Sequence, residues 1–229
     1  GSDRAILGGR EHATRILGET GIRSRGLTLP PSPDPAHDEG VIELAIWLEA
    51  EPRRTILALG PLTNIAAMTL IRPELVERIE RIVWMGGGVT SGNHTASAEF
   101  NALADPEALA ILIARGVPIR MIDLDACRRV QIAEEDVTAL RAAPGRNAAL
   151  LADLLGGYLD IALERGRPTM ALYDPVAAAA QGKMLPVITF SLIFGIVLIV
   201  VGEKGKPVLR VFEGVFAAIM KLVEWILYL

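Results

Sequence analysis

The densest group of side chains able to do chemistry is a single loop, Gly92-Asn93-His94-Thr95-Ala96-Ser97-Ala98-Glu99-Phe100-Asn101, preceded by Met85-Gly86-Gly87-Gly88. Two amides and a carboxylate offer the donors and acceptors that match vicinal hydroxyls, so the loop suits a polyhydroxyl ligand. On residue types alone, an ordinary Asn/Gly surface loop is the competing reading. The triple glycine is not a phosphate cradle, because it lacks GxxxxGK[ST] and the loop lacks the spacing of a dinucleotide fingerprint. His12, His37 and His94 show no metal spacing. Cys127 is the one cysteine, which excludes an internal disulfide framework and a Cys-based zinc cluster; it reads as a packed residue.

Elements that alternate in type must position this loop. Thr55 to Leu59 is a short apolar run closed by Gly60-Pro61, as expected of a buried parallel strand. Thr63 to Ile71 reads as a helix, and Pro73 starts another through Ile79. Arg81 to Met85 is a second strand. Asp105-Pro106 caps a helix running to Arg115, where Gly116 stops it, and Ile119 to Ile122 is a third strand. Glu134 to Ala142 and Asn147 to Glu164 are further helices. The pattern predicts an α/β fold, an open and mostly parallel sheet flanked by helices. Ligands of such sheets sit beyond the carboxyl ends of the strands.

The chain has 229 residues and a net charge of −4, which argues against a general nucleic-acid binder. Its composition changes near residues 180–184. Residues 1–182 hold 18 Arg and no Lys, whereas 183–229 hold four Lys and one Arg, Arg210. Met184 to Val201 is 18 residues without a charge, about 27 Å as a helix. A second apolar helix, Val208 to Leu229, follows a polar turn. The expected organisation is therefore a domain over 1–182 and an apolar segment over 183–229 that reads as transmembrane, with a buried core helix as the alternative. The opening Gly1-Ser2-Asp3-Arg4 carries no recognisable signal peptide.

Leu57 to Ala66, Val83 to Gly88, Asn93 to Asn101, Asp105 to Ala108 and Asp174-Pro175, in that order and spacing, resemble the inosine–uridine-preferring nucleoside hydrolases over about residues 1–180. Gly18 to Gly21 is similar to a loop of that family. The resemblance implies hydrolysis of the N-glycosidic bond of a ribonucleoside to ribose and free base, in the cytoplasm, with one Ca²⁺ as cofactor; a homo-oligomer is compatible with it. Carried over residue by residue, it implies the Leu59 backbone carbonyl and Asp174 as metal ligands and Asn93, Glu99 and Asn101 as ribose ligands. It also implies Met85 as a wall of the sugar site and Tyr173 as the group able to protonate the leaving base. An oxocarbenium-like transition state with a deprotonated, metal-oriented water is the mechanism implied. Asp123 and Asp125, which pass for a metal pair by spacing, correspond to framework in the family.

The chain also departs from the family pattern. The aspartate cluster of the form DxDxxxDD does not occur in it, nor does the first strand that carries it. Leu17 stands where many members have a histidine facing the base, and Tyr173 where a second histidine often sits. The chain as read is expected not to turn over. Residues 184–229, by contrast, resemble a fragment of sodium-coupled dicarboxylate/glutamate symporters. The alternatives to a hydrolase domain are thus a membrane-embedded symporter fragment or a membrane-anchored, hydrolase-like binding domain.

Overall fold

The computed structural model describes residues 2–9, 13–18, 21–30 and 39–181. A parallel three-stranded sheet, in the order β1-β2-β3, is built from β1 (Arg54–Ala58), β2 (Ile79–Met85) and β3 (Ile119–Ile122). Leu57 lies opposite Val83, and Met85 opposite Ile122. The crossover from β1 to β2 is α3 (Thr63–Ile71) and a 3-10 turn (Pro73–Arg78). The crossover from β2 to β3 is the amide-rich loop, α4 (Phe100–Ala104) and α5 (Pro106–Ala114). An earlier helix, α2 (Gly40–Glu49), packs on α3.

The central strand reads as a continuous apolar run because both of its faces are covered. Ile82 and Trp84 point into one cluster with Leu48, Leu62, Met68 and Leu112. Val83 and Met85 point the other way, against Ile122, Leu124, Cys127 and Ala177. Burying each such aliphatic side chain stabilises by about 1.5–3 kcal/mol. Trp84 does more than fill space: its indole Nε1–H donates to the Gly60 carbonyl at 3.0 Å. That bond pins the turn leaving β1, which carries Leu59.

Beyond β3 the chain forms a helical layer. It consists of α6 (Leu124–Cys127), α7 (Glu134–Ala142), α8 (Ala148–Leu163) and α9 (Asp174–Ala180), with the two-residue antiparallel pair β4 (Gln131–Ile132) and β5 (Met170–Ala171) between them. Ile132, Val137, Leu159, Ile161 and Met170 make its core, and a short α1 (Thr14–Leu17) lays Ile16 and Leu17 on it. The segment 21–30 is strapped along α8. Arg25 donates to Glu134 at 2.6 Å and to Asp160 at 2.7 Å, Arg23 pairs with Glu164 at 2.7 Å, and Leu27 N–H reaches Asp153 at 2.8 Å.

The α/β class, the parallel pairing of the strands and the helices Thr63–Ile71 and Glu134–Ala142 agree with the sequence reading. Differences are local. The element starting at Pro73 is a 3-10 turn ending at Arg78, because Ile79 is already in register with Arg54 as the first residue of β2. Strand β1 starts at Arg54 and stops at Ala58, leaving Leu59 outside the ladder. The apolar segment 183–229, with its transmembrane reading, lies outside the described residues. Among those that are described, no helix is long and apolar enough to cross a membrane.

Candidate functional site

Strands β1 and β2 end at one place. Leu59 follows β1, Met85 closes β2, and the carboxyl edge of the sheet opens into a cleft of about 710 Å³. Leu59, Met85, Asn93, Glu99, Asn101, Tyr173 and Asp174 all line it. The residues singled out from the sequence are therefore brought together, although they are spread over more than a hundred positions.

Local backbone chemistry explains how. Gly87 adopts φ +75°, a left-handed turn, and its N–H points to Glu99 Oε2 at 2.9 Å. The same oxygen accepts from Ala102 N–H at 3.0 Å, so Glu99 is the N-cap of α4 and is 2% exposed. Asn101, one residue into α4, donates from Nδ2 to the Met85 carbonyl at 2.9 Å, with the Leu59 carbonyl 3.5 Å away. One amide thus spans the ends of β1 and β2. Asn93 Oδ1 accepts from Phe100 N–H at 2.9 Å and fastens the loop back onto α4. Among the described residues, these bonds leave Glu99 Oε1, Asn101 Oδ1 and the Asn93 amide nitrogen outside the scaffold. Two acceptors and one donor is a set that fits hydroxyl groups.

Asp174 begins α9 at the side of the cleft. Loss of water and, next, the negative Glu99 raise its pKa above the usual aspartate value. Its carboxylate makes no hydrogen bond or ion pair among the described residues. Such a carboxylate, facing a second one, is chemically suited to a cation. The Leu59 carbonyl, a hard oxygen on a residue 41% exposed, is the other donor of that kind. Among the described residues no group of three or more His, Cys, Asp or Glu is assembled. Burial, above all, raises the Tyr173 pKa, which keeps its hydroxyl a proton donor.

Other acidic residues hold the framework. Asp105 caps α5 through Ala108 N–H at 3.0 Å and also accepts from Thr63 Oγ1 at 2.6 Å. Asp123 caps α6 through Ala126 N–H at 2.8 Å. Asp125 takes the Val89 and Thr90 N–H groups at 3.0 Å each and the Thr90 hydroxyl. Neither of the latter two lines the cleft. Cys127 is fully buried, its thiol pushed up to about 11, chiefly by burial. His94 lines the cleft with its ring 5.6 Å from Phe100; His12, His37, Glu19 and Thr20 lie outside the described residues.

The far wall is one that the residue types did not announce. Leu151, Leu154, Leu155, Tyr158 and Ile161 line the cleft at helical spacing along α8, with Arg165 just past its end, joined by Ile16 and Leu17 from α1. Their period could have been read as a stripe, but an apolar stripe on a helix ordinarily means core. Arg128 lines it too, held by Ser91 Oγ at 2.8 Å and the Gly92 carbonyl at 2.9 Å.

A cleft at the carboxyl ends of parallel strands is where open α/β sheets bind their ligands. The family model of inosine-uridine preferring nucleoside hydrolase matches residues 1–204, and the chain belongs to that family. The compositional seam at 182/183 falls inside the matched range. The chain is 38% identical over 152 residues to the pyrimidine-specific ribonucleoside hydrolase RihA of Shewanella oneidensis, covering 64% of this chain and 46% of that protein. Against the RihA of Enterobacter sp. (strain 638) the figures are 36% over 169 residues, 73% and 54%. Its fold matches a purine-preferring ribonucleoside hydrolase from Gardnerella vaginalis with a TM-score of 0.69 at 29% identity, over 78% of this chain and 59% of that one. The chain thus spans about half the length of the curated relatives it matches. These matches do not support the symporter resemblance of residues 184–229.

Proposed function

We propose that the cleft binds a ribonucleoside for hydrolysis of its N-glycosidic bond, releasing ribose and free base. The observation that carries the reading is the convergence of Asn93, Glu99 and Asn101 at the ends of β1 and β2, each tied to the backbone by one functional group with another left over. That arrangement grips the sugar hydroxyls without reorganising, and its preorganised dipoles favour the positive charge that grows on the ribose as the bond breaks. Met85 closes the sugar site from below. The protonated Tyr173 hydroxyl donates to the departing base.

A divalent cation fits the reading, with Ca²⁺ the natural choice for oxygen donors. The Leu59 carbonyl and Asp174 would hold it, and when bound it would orient sugar hydroxyls and lower the pKa of the attacking water. Asp174, disfavoured as an anion by its surroundings, becomes favourable beside a cation.

The test is equilibrium binding of inosine, of uridine and of their free bases to the chain by titration calorimetry in calcium buffer. Binding is the readout because no DxDxxxDD cluster occurs in the sequence. Nucleosides are expected to bind at least about tenfold more tightly than the bases, and Asn101→Ala to remove most of that margin. Bases that bind as well as nucleosides would overturn the ribose assignment.

A further inference from the structure

The helical wall of the cleft ends in two cations. Helix α8 closes with a Schellman turn: Arg167 N–H reaches the Ala162 carbonyl at 3.0 Å and Gly166 N–H reaches Leu163 at 2.9 Å, with Gly166 at φ +69°. This left-handed step sets Arg165 and Arg167 on either side of Gly166, and both line the cleft. Arg165 continues the row Leu154, Tyr158, Ile161 by one helical turn.

The other arginines of the region are occupied. Arg23 is held by Glu164 and the Ile16 carbonyl, Arg25 by Glu134 and Asp160, and Arg128 by Ser91, Gly92 and Asp125. Arg165 and Arg167, by contrast, make no ion pair among the described residues, and the adjacent carboxylate Glu164 is already taken. Tyr173 links the cleft's two walls, because it packs against both the helical cluster and the cluster behind Met85. The positive fields of Arg128, Arg167 and Arg165 all reach its hydroxyl. Glu99 sits at the sheet end and Asp174 at the start of α9, whereas the unpaired guanidiniums stand at the C-terminal end of α8.

Resting on the ribonucleoside reading, we propose that Arg165 and Arg167 form an anion-receiving rim at the base end of the cleft, selecting nucleosides whose base carries negative charge. With the ribose at the sheet end, the base lies along the apolar α8 stripe, and its C2 edge meets the two guanidiniums. The matching ligand class is the 2,6-dioxopurine nucleoside, which loses a ring proton at neutral pH and spreads the charge over N3 and O2. Guanidinium donors recognise such a planar oxyanion by charge-assisted hydrogen bonds.

The test is titration calorimetry of the chain in calcium buffer at neutral pH with xanthosine, inosine, guanosine and inosine 5′-monophosphate. Guanosine has a neutral amino group where xanthosine has the charged 2-oxo edge. Xanthosine is expected to bind about tenfold more tightly than inosine and guanosine, the scale of a charge-assisted hydrogen bond at a partly wet rim. The Arg165→Ala/Arg167→Ala double variant is expected to lose that preference, with xanthosine binding weakened far more than inosine binding, and the double Lys variant to recover part of it. If the two arginines merely offset the α8 dipole, the double variant lowers the melting temperature without moving the xanthosine-to-inosine ratio, and the proposal falls. Equal binding of the three nucleosides overturns the rim but leaves the nucleoside reading standing. A gain for the monophosphate alone puts the anion on the sugar side and overturns the base assignment. If no nucleoside binds, the underlying reading fails and the rim fails with it.

Discussion

The cleft has two walls built by different physics. The sheet wall is polar and over-determined: the side chains of Glu99, Asn101, Asn93 and Trp84 are each fastened to backbone groups at 2.9–3.0 Å. The helical wall is an aliphatic and aromatic stripe on α8, held by packing and by the arginine strap at 23–27. The first can place a hydroxyl to within a fraction of an ångström. The second sets size, polarity and charge at low cost to the fold. On the ribonucleoside reading, precision is thus concentrated where the sugar would be held, and adaptability where the base would lie.

Four substitutions separate the walls by the size of their effects. Trp84→Ala should do the most damage, about 3–5 kcal/mol in urea denaturation, because it empties a core position and frees the Gly60 turn. A loss below about 1 kcal/mol would mean that the sheet wall is not the rigid one. Glu99→Ala comes next, about 2 kcal/mol, since the Gly87 and Ala102 N–H groups lose their acceptor; Glu99→Gln should restore most of it. If Gln behaves like Ala, the charge rather than the cap matters. Arg25→Ala should cost about 0.5–1 kcal/mol and the cost should shrink in high salt, as befits a partly exposed network. A salt-independent loss would make the strap a packing device instead.

The smallest effect has the opposite sign. The folded-state pKa of Asp174 lies above its unfolded value, so the folded protein binds that proton more readily and loses stability as pH rises through the carboxylate range. Asp174→Asn removes the loss. In chelator it should melt slightly higher than the parent at neutral pH and at the same temperature in acid. Calcium should raise the parent's melting temperature and leave the variant's unmoved. A calcium response retained in the variant would exclude Asp174 as a ligand.

Much of this architecture was legible in the residues. The apolar runs ending at Gly60 and Gly86, and the helix between them, announced a parallel sheet, and the rule about strand ends pointed to the segments that follow each run; Leu59 and Met85 themselves came from the family resemblance. The roles of Asn93, Glu99 and Asn101 could be framed from residue types as hydroxyl ligands, but their hydrogen bonds to Phe100, Gly87 and Met85 could not, because these depend on where the loop folds back. The pair β4–β5 left no trace, since two residues carry no period. The α8 stripe was visible and ambiguous: Leu154, Leu155 and Tyr158 look the same whether they face a core or a cleft. Nothing in Arg165-Gly166-Arg167 tells that the helix end opens onto the site.

Cys127 supplies a clock. Its sulfur lies 3.6 Å from the Tyr173 carbonyl, fully buried at the base of the segment that joins the two walls. A thiol with so high a pKa is almost entirely protonated at neutral pH and reacts only when the segment lifts away. The alkylation rate of this cysteine therefore counts how often the cleft breathes, and a ligand bridging both walls should slow the count in proportion to its occupancy.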